Sequence, residues 1–380
     1  MVKNMAKVIN KKNKIKHRGL NTPVFMPDAT RGFVKLLSNQ EVEAVGVRAI
    51  VVNTFHLYLY PGLPVIKKAD TRKRNYKKGI HKFMDWDGLI LSDSGGFQVF
   101  SLIHKNPRMG KVTDDKVVFR SPYDGSWHDL SPERSIQIQF DLGSDMMVCL
   151  DDCPPYGFSR KKIEKAVERT IAWARRCRRE YDKQVKKRKI PPRNRPLLFS
   201  VIQGGADPEL RRYCARELTR IGFDGYGFGA RPVDEQGNFL QEVLQATSEA
   251  IPEGSIKFAL GIGMPEDIVR CSRMGWDLFD CVIPTREGRH GRLFQFQNQK
   301  SLVGSRFYNV VNIENSRFKN DLSPINPDSS LSELRKNSKA YLHHLFKVKE
   351  TLGKKWASLN NLEFYTDLMN DLRKEKKKID

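Results

Sequence analysis

Short apolar runs alternate with amphipathic stretches along most of the chain, and each run gives way to a polar or glycine-bearing segment. TPVFMP (22–27) precedes SNQEVEAVG (38–46), whose spacing predicts a helix, while VRAIVV (47–52) leads into NTFHLYLYPG and GLILS (88–92) into DSGGFQ. DMMVCL (145–150) then runs into DDCPPYG, PLLFSVI (196–202) into QGGAD, YGFG (226–229) into ARPVDE, IKFALGI (256–262) into GMPED, and DLFDCVI (277–283) into PTREGRHGR. The runs are near-continuously apolar and most are followed by a helical pattern, such as 161–184, 208–222 and 265–275. Strands of that kind belong in a parallel sheet covered on both faces. Eight strand–helix units in this length predict an α/β fold of the (β/α)8 TIM barrel type, with a doubly wound open sheet as the alternative.

Two stretches interrupt the alternation. Residues 104–131, with KVVFRSPYDGSWHDLSP, predict a β-hairpin inserted after the third strand around a D-G turn. Residues 290–340, ending in the Pro- and Ser-rich DLSPINPDSS, predict a subdomain inserted before the last helix, so that 1–380 forms a single barrel domain with one appendage. The C-terminal stretch has apolar residues at helical spacing, with breaks expected at Gly353 and at Asn360–Asn361.

Composition narrows the partners. The chain has 380 residues and a formal charge of +23, from 67 Lys and Arg against 44 Asp and Glu, an excess that suits a polyanion. Basic clusters lie at 3–18, 67–78, 175–195 and in the terminal RKEKKKID. The six cysteines are scattered without a C-x-x-C pair, which suits a reducing cytoplasm, and the absence of an 18-residue apolar run excludes a membrane helix.

In a parallel barrel the C-terminal strand ends converge on one mouth, and the polar clusters fall there. Asp93 follows the third strand, Asp151 and Asp152 the fourth and Gln203 the fifth; Gly229 ends the sixth, and Asp280 lies in the eighth. A lone Asp at a strand end is commonly a helix cap or turn residue. Four carboxylates aimed at one mouth point instead to a site. Paired carboxylates serve chemistry at an anomeric carbon: one attacks the oxocarbenium-like centre and the other moves a proton to and from the leaving group. Gly95, Gly96, Gly204 and Gly205 are expected to let a planar ring approach the backbone. Phe97 would stack on that ring, and Asp151 would accept from the N–H groups of a guanine-like edge.

SDSGGFQVFSL, DDCPPY (151–156), VIQGG (201–205), DCVIPTREGRHGR (280–292), NTFHL (53–57) and SKAYLHHL (338–345) resemble the signature segments of tRNA-guanine transglycosylases, and the likeness runs from about Thr22 to the last helix. The resemblance implies a (β/α)8 barrel that exchanges guanine at the anticodon wobble position of tRNA for a 7-deazaguanine, preQ1 or queuine. It implies Asp280 as nucleophile on ribose C1′ and Asp93 as general acid/base. Phe97, Asp151, Cys153, Gln203, Gly229, Ala230 and Leu260 would hold the base, and Arg286 and Arg289 the RNA backbone. The implied partners are a tRNA with a G-U-N anticodon, the incoming base and a second copy in a homodimer. An anticodon loop offers the splayed base that such a pocket needs.

Two segments depart from the family. Its structural zinc is held by C-x-C-x-x-C ahead of AYLHHL and by a later histidine, and the matching positions here are Ser329, Leu331, Leu334 and Asn360. Leucine cannot ligate zinc, so no cofactor is expected. His343 and His344, adjacent on a helix, would face different directions and pack or hydrogen-bond instead. GARPVDE (229–235) replaces the family's GGLxxGE, which bears on the choice of incoming base. Two other functions compete: the same exchange on another tRNA position or on DNA, and a non-catalytic RNA-binding subunit. Retention of Asp93 and Asp280 argues against the second.

Overall fold

The structure, a computed structural model, describes residues 18–69, 78–154, 157–230, 232–234, 236–297, 302 and 307–377. Most of the basic clusters at 3–18 and 67–78 lies outside these residues, as do Tyr156, Arg231, Glu235 and the last three residues of RKEKKKID.

The predicted barrel forms. Its strands are β1 Val24–Pro27, β2 Ala49–Val52, β3 Leu89–Ser92, β4 Met146–Val148, β5 Leu197–Ile202, β6 Gly225–Phe228, β7 Ile256–Ala259 and β8 Leu278–Cys281. All pair in parallel, in the order β1-β8-β7-β6-β5-β4-β3-β2. The ring closes where Asp28 bridges Val51 and the Ala29 N–H donates to the Val51 carbonyl at 2.7 Å.

The period of two along each strand sorts the apolar residues into two cores. Val24, Met26, Ala49, Val51, Leu89, Leu91, Met146, Val148, Leu197, Phe199, Val201, Ile256, Phe258 and Leu278 fill the barrel, whereas Phe25, Ile50, Val52, Ile90, Met147, Leu198 and Phe279 face the helices. No described helix is long and apolar enough to cross a membrane.

The insertion after β3 differs from expectation. Strands Val117–Arg120 and Trp127–Leu130 pair across the Asp124–Gly125 turn as expected, but Gly110–Val112 adds a third antiparallel strand. Within the 290–340 stretch, Arg292–Phe296 pairs antiparallel with Tyr308–Asn312.

The expected breaks in the last helix do not occur, for Thr351–Lys376 is continuous. Gly353 sits in its first turn, where a Cβ would come within 2.9 Å of Leu345, so this glycine permits close packing. Asn360 and Asn361 are fully buried in mid-helix and satisfied by distant backbone. Asn361 donates to the Pro284 and Arg292 carbonyls, each at 2.9 Å, and accepts from the Phe294 N–H at 2.9 Å, while Asn360 donates to the Phe294 carbonyl at 3.0 Å. Tertiary hydrogen bonds of this kind override a weak local preference against helix. They also clamp the helix Ile283–Arg289, which leaves β8 directly, against the C-terminal helix.

Candidate active site

Strand parity carries inward-facing side chains up to the mouth. Leu89 and Leu91 are inside the barrel, so Asp93 follows on the same face; Leu278 is inside, so Asp280 follows; Val24 and Met26 are inside, so Asp28 follows. All three acids line one cavity of about 650 Å³, whose floor includes Val51, Leu91, Val148, Val201 and Phe258.

Asp93 is held from the protein side. Its Oδ1 accepts from the Thr54 N–H at 2.9 Å and the Gly95 N–H at 3.1 Å, and its Oδ2 from Asn53 Nδ2 at 2.6 Å. Asn53 itself caps the helix Thr54–Leu59, its Oδ1 accepting from the His56 N–H. Desolvation, opposed by the backbone hydrogen bonds and reinforced by Asp28 and Asp280, raises the Asp93 carboxyl to about 7. Asp280 has a different shell. Its Oδ1 accepts from the Gly261 N–H at 3.0 Å, and its Oδ2 has no hydrogen-bond partner among the described residues. Burial, with a contribution from Asp28, raises it to about 7 as well. A buried acid near 7 with an open oxygen can exist as a nucleophilic carboxylate, and a neighbour near 7 can give and take a proton.

Across the mouth lie the expected base-binding residues. Phe97, Asp151, Cys153, Gly229, Ala230 and Leu260 all line the cavity, and Phe97 is 57% exposed. Asp151 Oδ2 accepts from Gln203 Nε2 at 2.6 Å, and burial foremost raises Asp151 to about 7. Gln203 stands behind Asp151, fully buried and not lining the cavity, and its Oε1 has no hydrogen-bond partner among the described residues. A Cβ at Gly229 would come 2.4 Å from Gln203 Nε2, which explains the glycine there. Arg211, fully buried, ties the two loops together by donating to the Gly205, Ile202 and Gly229 carbonyls at 2.8–2.9 Å. Ala230 adopts φ +80, a left-handed conformation that disfavours any Cβ. Arg286 lines the cavity, and Arg289 lies one helical turn further on, its charge opposed by burial.

Two expectations are corrected. Asp152 does not face the cavity: it pairs with Arg169 of the helix Arg160–Lys187, and Arg169 also donates to Asp114 at 2.6 Å, which fastens the three-stranded insertion to that helix. Asp28 takes the fourth carboxylate place, and the signal for it was its position, one residue past β1 as Asp93 is one residue past β3. Gly95, Gly96, Gly204 and Gly205 do not form the slot. A Cβ at Gly95 would meet the Phe55 backbone at 3.0 Å, at Gly96 Leu150 at 2.8 Å and at Gly204 Arg211 at 2.8 Å, while Gly205 (φ +59) faces Ile163. These glycines serve the protein's own packing.

The positions that hold zinc in the resembling family do not suit a metal. Leu334 is buried, and Ser329 donates to Glu363 of the C-terminal helix. Glu363 also accepts from the Ser330 N–H at 2.6 Å and its hydroxyl at 2.5 Å, and Asn360 Oδ1 accepts from Asn326 at 3.2 Å. His343 is buried and donates from Nδ1 to the Ile313 carbonyl at 2.7 Å, while His344 points out beside Tyr341. Among the described residues no three His, Cys, Asp or Glu side chains are grouped to hold a metal.

Comparison with known proteins matches residues 11–378 to the family model described as queuine tRNA-ribosyltransferase. Proteins of that name from Methylacidiphilum infernorum, Hamiltonella defensa and Aliivibrio fischeri are 40%, 41% and 39% identical to this chain. The first two alignments cover 94% of this chain and 88% of the relative, and the third 93% and 86%. With a barrel whose mouth gathers the carboxylates, the chain belongs to the queuine tRNA-ribosyltransferase family.

Proposed function

We propose that the protein exchanges guanine at the wobble position of tRNAs with a G-U-N anticodon for preQ1 or queuine, by double displacement through Asp280. It is a pentosyltransferase of tRNA queuosine modification. Asp280 Oδ2 attacks ribose C1′ as the C1′–N9 bond breaks; N9 takes the Asp93 proton and guanine leaves. The incoming base gives its N9 proton to Asp93, N9 bonds to C1′, and the Asp280 carboxylate is released. Two inversions give net retention. Asp151, held by Gln203 behind it, reads the base edge, Phe97 stacks on the ring, Cys153, Gly229, Ala230 and Leu260 shape the pocket, and Arg286 and Arg289 meet phosphates as guanidinium forks.

The observation that carries this reading is the unlike pair of acids in one cavity, Asp93 engaged at both oxygens and Asp280 open at Oδ2. The experiment is exchange of labelled guanine, preQ1 and queuine on purified G-U-N tRNAs, other tRNAs and DNA. Incorporation confined to G-U-N tRNAs is expected; exchange only on DNA or on other tRNAs contradicts it.

The reading extends to a cytoplasmic enzyme without zinc that forms the family's homodimer. The free cysteines among the described residues suit that compartment. Glu363 and its three donors take the fastening role that a metal has elsewhere. Metal analysis is expected to find no bound zinc, and one tightly held zinc per chain would contradict it. Mass in solution tests the dimer.

A further inference from the structure

The acids at the mouth are not scattered around the ring. Strand order places β8, β1, β2 and β3 side by side, so Asp280, Asp28, Asn53 and Asp93 form one continuous arc. Register sharpens this: Met26 is level with Asp280 and Pro27 with Cys281, which sets Asp28 one inward-facing step above the nucleophile's neighbour. Asp28 therefore lies between the two reacting carboxylates, on the cavity wall.

Its lone pairs are unevenly used. Oδ1 accepts from the Thr30 N–H at 2.7 Å and from the Thr30 hydroxyl, which fixes the carboxylate in place. Oδ2 has no hydrogen-bond partner among the described residues. Of the three acids, Asp93 has both oxygens engaged, and the open oxygens of Asp280 and Asp28 remain for substrate. If Asp280 bonds to C1′, the nearest hydroxyl of the sugar is the one on C2′, and an acceptor-only carboxylate is the group that recognises it.

We propose, on the strength of the function proposed above, that Asp28 is a sugar-binding residue whose Oδ2 accepts a hydrogen bond from the 2′-hydroxyl of the exchanged nucleotide. Such a contact strengthens as positive charge grows on the ring, so it acts on turnover more than on tRNA binding. It also makes the enzyme choose RNA over DNA at the reacting nucleotide itself. The groups within electrostatic reach of Asp28 are Asp93, Asp280, Arg289 and His56, with Arg31 beside His56. Its negative charge contributes to holding protons on Asp93 and Asp280, so neutralising it moves the pH optimum to the acid side.

The test uses the full chain and two anticodon stem-loops, one all-ribose and one with a single 2′-deoxyguanosine at the exchanged position. The wild-type protein is expected to prefer the ribose form by about ten- to a hundredfold in kcat/KM, the worth of one hydrogen bond to a charged group. Asp28→Asn is expected to narrow that preference to within about threefold, to lower kcat more than it raises KM, and to shift the pH optimum downward. A wild-type enzyme that does not discriminate overturns the proposal without any variant, and so does an Asp28→Asn enzyme that keeps the full preference. No exchange by the wild type on either stem-loop or on intact tRNA would instead overturn the proposed function.

Discussion

The barrel mouth and the clasp between residues 326–334 and the C-terminal helix both bury acids, and they treat them in opposite ways. Glu363 in the clasp accepts from two serine hydroxyls and a backbone N–H, so both its oxygens are matched by donors from its own chain. Asp280 at the mouth has one backbone donor and an open oxygen, and burial pushes it to about 7. A fully satisfied buried acid stabilises the fold; an under-satisfied one costs stability and keeps reactivity in exchange.

That contrast breaks most visibly at Asp280. Asp280→Asn should cut guanine exchange by about 10⁴-fold or more, measured with labelled base, because it removes the proposed nucleophile. The same variant should be more stable than the wild type at pH 8, on the order of 1–3 kcal/mol by denaturant titration. The sign follows from the raised carboxyl: between about 4 and 7 the folded chain holds a proton that the unfolded chain has lost, so wild-type stability falls as pH rises through that window. The advantage of Asn should therefore shrink toward pH 4. Asp93→Asn should lower exchange by about 10²–10⁴-fold, the usual worth of a positioned acid/base. With Asp93 and Asp280 both near 7, wild-type exchange should peak near neutrality and fall on the acid side as Asp280 takes up its proton. At the clasp the outcome reverses, since Glu363→Ala should leave kcat nearly unchanged and cost about 1–3 kcal/mol for donors left without an acceptor. The smallest effect is at the cavity edge, where Ala230→Gly should gain about 1 kcal/mol in the same titration by relieving a positive φ.

Much of this was legible in the chain. The eight strands announced themselves because both faces of a parallel barrel strand are buried, and the parity that places Asp93 and Asp280 inward is set by the same residues. Asp28 escaped because an acid between a proline and a small residue reads as a turn. Its meaning depends on β1 lying beside β8, which is a fact of strand order and not of local pattern. The glycines misled for a related reason: DSGGFQ shows that backbone space is needed, and only packing shows that Phe55 and Leu150 take it up. Asn360 and Asn361 read as a helix break because the distant groups that satisfy them are 34–77 residues away.

The most direct test of the double displacement is to mix the protein with G-U-N tRNA without an incoming base, quench under denaturing conditions, and map any covalent RNA–protein adduct by mass spectrometry. The account predicts a sugar ester on Asp280, lost in Asp280→Asn and discharged when preQ1 or guanine is added before the quench. An adduct on Asp93 or Asp28, or rapid exchange with no adduct at any time point, would contradict it.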